Sequence, residues 1–270
     1  MQEIDIAKTS ALLEPMLKKK ERPTSCPNEE KLIVRCSDAC IIGYNVWFTS
    51  DLHFSHKNIL IHCPGRIEAM AKDGYIITEK MLPDEVLNLH DSWLINKWNS
   101  TVAKKDHVYI LGDFSFRNTN DTKKLLGKLN GKKFLIVGNH DGSCTKTDRL
   151  KDYFVEITQL KEVTFKAKNF PFLDENFNVF MCHYPMVTWP GKHAGVAQVH
   201  GHCHGRLDYF NKASTDLRYD VGLDSIEGNY KILSLEDLYK IFRKKADPNN
   251  TGTTLCQYAF EAKAFNEMIV

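Results

Sequence analysis

Five short stretches of this 270-residue chain concentrate side chains that can bind a cation or move a proton. Asp51 and His53 stand two apart. On an extended chain that spacing puts both on one side, so a carboxylate oxygen and an imidazole nitrogen can share one ion. A strand-terminal turn with an incidental histidine accounts for the pair equally well. Gly112-Asp113 follows the apolar run Val108-Tyr109-Ile110-Leu111. A buried strand that delivers a carboxylate at its tip needs a partner for the charge, and metal is one candidate. Taken alone, a helix cap or turn carboxylate is the stronger reading. Gly138-Asn139-His140-Asp141 is more specific: glycine permits a tight turn, asparagine offers a neutral carbonyl oxygen, and histidine titrates near neutral pH. A mere turn needs no histidine, so function leads here. His183 closes the apolar Val179-Phe180-Met181-Cys182 run, and His200, His202 and His204 alternate between Val199 and Gly205. A lone histidine is ordinarily a packed core residue, which does not comfortably explain His202 and His204 bracketed by glycines. Cys203 is expected to face away from them.

The elements that carry these residues read as alternating strands and helices. Residues 45–50 form a strand running into Asp51, 106–111 a strand ending at Gly112-Asp113, and 132–137 a strand ending at Gly138. A helix is expected over about 83–98, where Val86, Leu87, Leu89, Trp93, Leu94 and Trp98 make a stripe, and another over about 121–129, ended by Asn130-Gly131. Residues 54–82 lack periodicity and read as loop. Further strands are expected at 163–167, 179–182, 196–200 and 219–223. Ser234-Leu235-Glu236-Asp237 has the form of a capping box opening a helix to about 245. In open α/β sheets, ligands gather beyond the carboxyl ends of the strands, so three strand tips deliver their polar clusters to one rim.

Residues 1–40 read as an N-terminal extension, with a short helix over 7–20 interrupted by Pro15. Residues 41–245 form one large domain and 246–270 a tail. With 43% hydrophobic residues the chain can bury a full core, and 36 Lys+Arg against 34 Asp+Glu neither demands nor excludes a nucleic-acid partner. No apolar run approaches the roughly 20 residues of a membrane helix. Eight cysteines in a chain of this length suit free thiols in a reducing cytoplasm better than a disulfide scaffold or a zinc site at Cys36 and Cys40.

Taken in order, Asp51-x-His53, Gly112-Asp113, Gly138-Asn139-His140-Asp141, His183 and Gly201-His202-Cys203-His204 resemble the five signatures of the calcineurin-like metallophosphoesterases. Phe48-Thr49-Ser50, His56-Lys57-Asn58-Ile59, Trp98-Asn99, Phe114, Tyr184-Pro185 and Val221-Gly222 look like a compact bacterial or phage-type branch. The resemblance implies a four-layer α/β/β/α sandwich of two mixed sheets flanked by helices. It implies a binuclear centre, with Asp51, His53 and His204 on one ion, Asn139, His183 and His202 on the other, and Asp113 bridging. The ions are expected to be divalent transition metals, manganese first, with iron, nickel or zinc as alternatives. A metal-bridging hydroxide would attack phosphorus, His140 would stabilise the phosphoryl charge or protonate the leaving group, and Asp141 would orient His140 or cap the turn. His56, Arg66 and Arg117 are candidate phosphate contacts, each balanced against a solvated side chain.

The resemblance also shapes the substrate. Protein Ser/Thr phosphatases of the family carry Gly-Asp followed by Asp-Arg-Gly, and Gly-Asn-His-Glu, whereas this chain has Gly112-Asp113-Phe114-Ser115-Phe116-Arg117 and ends the later motif in Asp141. A phosphodiester or small phosphomonoester is therefore expected, of nucleotide type or a nucleic-acid end. A silent scaffold for protein binding, a protein phosphatase and a structural zinc protein are the rival readings.

Overall fold

The computed structural model describes residues 43–142, 148–225 and 229–246. The expected helix over 7–20 and the tail beyond 246 lie outside them.

Four parallel strands and one antiparallel strand make the first sheet. β1 (Val46–Thr49), β2 (His107–Ile110), β3 (Lys132–Ile136) and β4 (Glu156–Thr158) run parallel, and β9 (Leu233–Ser234) closes the other edge in the order β4-β3-β2-β1-β9. The second sheet has the order β5-β6-β7-β8, from β5 (Leu160–Phe165), β6 (Phe177–Cys182), β7 (Ala197–His200) and β8 (Arg218–Asp220). β5 pairs antiparallel with β6, and the remaining pairs are parallel. Both sheets are thus mixed.

Period-2 alternation sorts the residues of β1 between two cores, because successive side chains leave opposite faces of a strand. Val46 and Phe48 meet Tyr109, Leu111, Ile136, Val179, Met181 and Val199 between the sheets. Trp47 faces the other way, into a cluster with Val108, Ile110, Leu135 and the helical residues Trp93, Leu94 and Trp98. A strand covered on both faces must be apolar throughout, which is why these read as continuous runs rather than alternating ones.

The described α-helices include α1 (Ile59–His62), α2 (Gly65–Lys72), α3 (Pro83–Thr101), α4 (Thr119–Leu126), α5 (Asp208–Ala213) and α6 (Leu235–Ala246). α3 fills the expected span and three residues more. α6 opens as its sequence implies: Ser234 Oγ accepts from Asp237 N at 3.0 Å, and the Asp237 carboxylate accepts from Ser234 Oγ at 2.7 Å. Its Leu235, Leu238, Tyr239 and Phe242 join the inter-sheet core.

Three expectations need correction. α4 ends at Leu126, with Gly127 as its cap, rather than at Asn130-Gly131. Two strands, β4 and β9, were not foreseen; with three and two residues they are too short to show a period. The segment 54–82 is not all loop, because it contains α1 and α2. The buried face of α2 includes Arg66 beside Ile67, Ala69 and Met70, so its periodicity is broken by a charge.

Candidate metal centre

The tips of the parallel strands are laced together by backbone hydrogen bonds. Asp51 N donates to Gly112 O and His53 N to Asp113 O, each at 3.0 Å, and Gly201 N donates to His183 O at the same distance. Leu223 N donates to Ser50 O at 3.1 Å, joining the two sheets at the rim. The carboxylate of Asp141 adds a second layer of order. It accepts from the amides of Asp113, Phe114 and Gly138 at 2.9, 2.8 and 2.8 Å, tying the second and third strand tips together. Asp141 is fully buried, and burial raises its pKa. These three bonds suit the expected role of capping the turn.

Asp51 and His53 do converge, but not by facing one side of an extended chain. β1 ends at Thr49, and both residues lie beyond it in the left-handed region, at φ 56° and 52°. Asp113 (52°), His202 (69°) and His204 (50°) share that conformation. Each costs on the order of 1 kcal/mol or more for a residue with a Cβ, and such strain persists where surrounding contacts over-determine it. Two glycines leave the necessary room. A Cβ on Gly138 would strike Asp113 Oδ1, and one on Gly201 would strike Ser50 Oγ and Asp51 Oδ2.

Two groups of donors result. One ligand atom each of Asp51, His53 and His204 lie within 4.8 Å of one another, and the same holds for Asp113, His183 and His202. Asp113 stands between the groups: its Oδ2 is 3.6 Å from His53 Nε2, and its Oδ1 is 3.7 Å from His183 Nε2. Asn139 Oδ1 is 3.0 Å from the same His183 nitrogen. His140 lies alongside, half-exposed, with its amide donating to Asp113 Oδ1 at 2.9 Å and its Nε2 4.0 Å from Asp113 Oδ2.

The hydrogen bonds around the rings show where their lone pairs point. His183 Nδ1 donates to Leu111 O at 2.6 Å, so its Nε2 lone pair faces Asn139 Oδ1. His204 Nδ1 donates to Asp224 Oδ2 at 2.7 Å, so its Nε2 lone pair faces Asp51 Oδ1 at 3.7 Å. Among the described residues, neither buried nitrogen of His53 has a hydrogen-bond partner. With neutral imidazoles, acceptor faces acceptor between His183 and Asn139 and between His204 and Asp51, a repulsion that a cation between them would relieve. Electrostatics agree. Asp51 is fully buried, and its pKa is raised by burial first and then by Asp220. Burial lifts Asp220 to about 6 and drives His53 down to about 2, keeping its imidazole neutral and able to ligate. Oxygen and neutral nitrogen donors fit a divalent transition metal.

Several residues have roles that differ from expectation. Arg66 is not presented to substrate: it is fully buried, with Nε and Nη2 on the two oxygens of Asp224 at 2.7 and 2.6 Å, Nη2 also on Asp51 O, and Nη1 on Leu52 O. It braces the Asp51 loop instead. Arg117 pairs with buried Asp91 at 2.6 Å. His56 is at the site, its ring 5.5 Å from that of His53, and burial lowers its pKa to about 4. His200, the first of the alternating imidazoles, is a core residue that donates to Gly201 O and accepts from Asn211 Nδ2. Cys63, Cys182 and Cys203 are free thiols.

Asp224, Asp220 and Asp91 were not foreseen. Asp224 orients His204 and holds Arg66, and Cys63 Sγ lies 3.3 Å from the same His204 nitrogen. Asp91 accepts from Ser55 N at 2.8 Å as well as from Arg117, and so fastens the loop carrying His56 to the loop carrying Phe116. A carboxylate two residues past Val221-Gly222, at another strand tip, was the available signal for Asp224.

The chain is 30% identical to the Gene 66 protein of Mycobacterium phage L5 over 73% of its own length and 93% of the relative's. Its likeness to the Gene 66 protein of Mycobacterium phage D29 is also 30%, over 67% of this chain and 88% of that one. The crystal structure of the protein of unknown function AQ665 from Aquifex aeolicus superposes with a TM-score of 0.50 at 23% identity, covering 73% of this chain and 99% of that one, which supports the fold. Among the described residues no helix is long and apolar enough to cross a membrane. The family model described as calcineurin-like phosphoesterase matches residues 44–251, spanning all five strand-tip clusters, and the chain is a member of that family of metal-dependent phosphoester hydrolases.

Proposed function

We propose that the protein is a binuclear-metal phosphodiesterase, also able to act on small phosphomonoesters, with nucleotide-type substrates. The observation that carries this reading is the position of Asp113, whose two oxygens address two separate sets of donors at 3.6 and 3.7 Å. Asp51, His53 and His204 would hold one ion, Asn139, His183 and His202 the other, and Asp113 would serve both. Manganese leads among the candidate metals, with iron, nickel and zinc behind it.

When bound, a pair of divalent ions supplies Lewis acidity, lowering the pKa of water and neutralising phosphate charge. The rest falls to the chain. Asp51 and Asp113, both buried, would offset only part of the charge of a bound ion pair, so the site would favour an anionic phosphate. His140, half-exposed and anchored through its amide to Asp113, offers a ring proton to the leaving oxygen. Asp141 fixes the backbone that presents both. General-acid help of this kind contributes about 10²–10⁴ in rate.

The test is hydrolysis of bis-p-nitrophenyl phosphate with added Mn²⁺, together with metal content. Wild-type protein should bind two ions per chain and turn over, and chelator should abolish the activity. Asp113→Asn should lose nearly all of it and bind fewer ions. A variant that kept wild-type turnover would overturn the bridging role.

A further inference from the structure

Two large aromatic side chains stand partly in solvent on either side of the proposed centre. Phe116, 39% exposed, packs against the first group of donors and against His140: its ring centroid is 5.4 Å from that of His53 and 4.8 Å from that of His140. Tyr184, 44% exposed, packs against the second group, 5.0 Å from His183 and 4.8 Å from His202. Asp113 lies between the two groups, so the rings flank the place where a phosphoryl group would sit. Each ring turns part of its surface outward, although burying an aromatic ring is worth about 1.5–3 kcal/mol.

The backbone that carries each ring is tied down. Phe116 N donates to Phe54 O at 2.9 Å, and the next residue, Arg117, is pinned by Asp91. Tyr184 O accepts from Gln198 Nε2 at 3.0 Å. Half-open rings beside a phosphate site suit flat aromatic groups, since every base has a π-face that stacks without sequence preference. One ring would serve a nucleotide with a single base. Two rings, one on each side of phosphorus, match an ester that carries a base on each side.

Resting on the diesterase reading above, we infer that Phe116 and Tyr184 form a stacking clamp, and that the substrate is a phosphodiester joining two nucleosides. The linkage lies over Asp113, one base stacks on Phe116 beside the proton donor His140, and the other stacks on Tyr184.

The experiment uses metal-loaded protein and two diesters with the same leaving group, methyl p-nitrophenyl phosphate and thymidine 5′-(p-nitrophenyl phosphate). They are assayed with wild type, Phe116→Leu and Tyr184→Leu. The wild type should favour the nucleoside ester about tenfold or more in kcat/KM, in line with the worth of one stacked base. At least one variant should bring that ratio near one through KM, with kcat on the methyl ester kept. In parallel, calorimetric titration with phosphorothioate-linked dithymidine should show affinity about tenfold weaker in each single variant. An unchanged ratio in both variants, or dithymidine affinity that neither substitution alters, would overturn the clamp. If the variants lowered kcat on both esters alike, the rings would be supports for the neighbouring imidazoles and the clamp would again be wrong. Failure of the wild type to cleave either ester would instead sink the diesterase reading, and the titration would still decide the clamp.

Discussion

Asp224 Oδ2 accepts from His204 Nδ1 at 2.7 Å and from Arg66 Nη2 at 2.6 Å, while Oδ1 accepts from Arg66 Nε at 2.7 Å. One carboxylate therefore fixes the ring orientation of a proposed ligand and neutralises a buried guanidinium. Arg66 holds the Asp224 carboxyl well below its usual range, although burial alone would raise it. Replacing Asp224 by Asn should weaken metal binding about 10–100-fold through the lost support of His204. It should also cost on the order of 3 kcal/mol of stability, because a buried cation loses its partner. Metal titration and denaturant unfolding measure the two effects separately, and normal affinity in the variant would show that His204 needs no such support.

His140→Ala should keep both ions and lose about 10²–10⁴ in turnover. Metal analysis beside steady-state kinetics checks this. Loss of an ion would make His140 a ligand rather than a proton donor.

Gly201→Ala should damage the site more than the fold. The new Cβ meets Ser50 Oγ and Asp51 Oδ2, so the carboxylate must move. A melting temperature within a few degrees of wild type, combined with metal affinity reduced tenfold or more, is the expected result. Unchanged affinity would mean the rim yields without disturbing Asp51.

The pH dependence of stability should carry a signature from Lys133, remote from the centre. Burial lowers its pKa to about 8 from the ordinary 10.5. Between about pH 8 and 10.5 the unfolded chain thus holds a proton that the folded chain has released, so stability rises with pH across that window. Lys133→Met removes the rise. Its baseline will differ, because the ammonium donates to Leu129 O and Gly131 O. The slope decides: equal slopes for the two proteins in denaturant unfolding at pH 8 to 10.5 would refute the assignment.

The residues that face the centre were legible because each occupies the tip of an apolar run, where a charged or imidazole side chain has no packing reason to be. Asp51, Asp113, Asn139 and His183 announce themselves this way. What surrounds them was not legible, for two reasons. Arg66 and Asp224 are 158 positions apart, and neither reads as buried until the other is present. The left-handed backbone at His53 and His204 is imposed by contacts between loops, not by local preference, since only glycine adopts it freely. Helix α2 was missed for a related reason: its amphipathic stripe runs through Arg66, which a periodicity argument counts as polar.

Each donor group draws on both sheets. Asp51 and His53 follow β1 in the first sheet while His204 follows β7 in the second, and Asp113 follows β2 while His183 and His202 follow β6 and β7. The centre is thus a seam, and its spacing is set by how Phe48, Leu111, Val179 and Val199 interlock beneath it. A methylene removed from that interlock would register at the rim as a misfit between halves, so this enzyme's chemistry is tuned partly by residues that never touch its substrate.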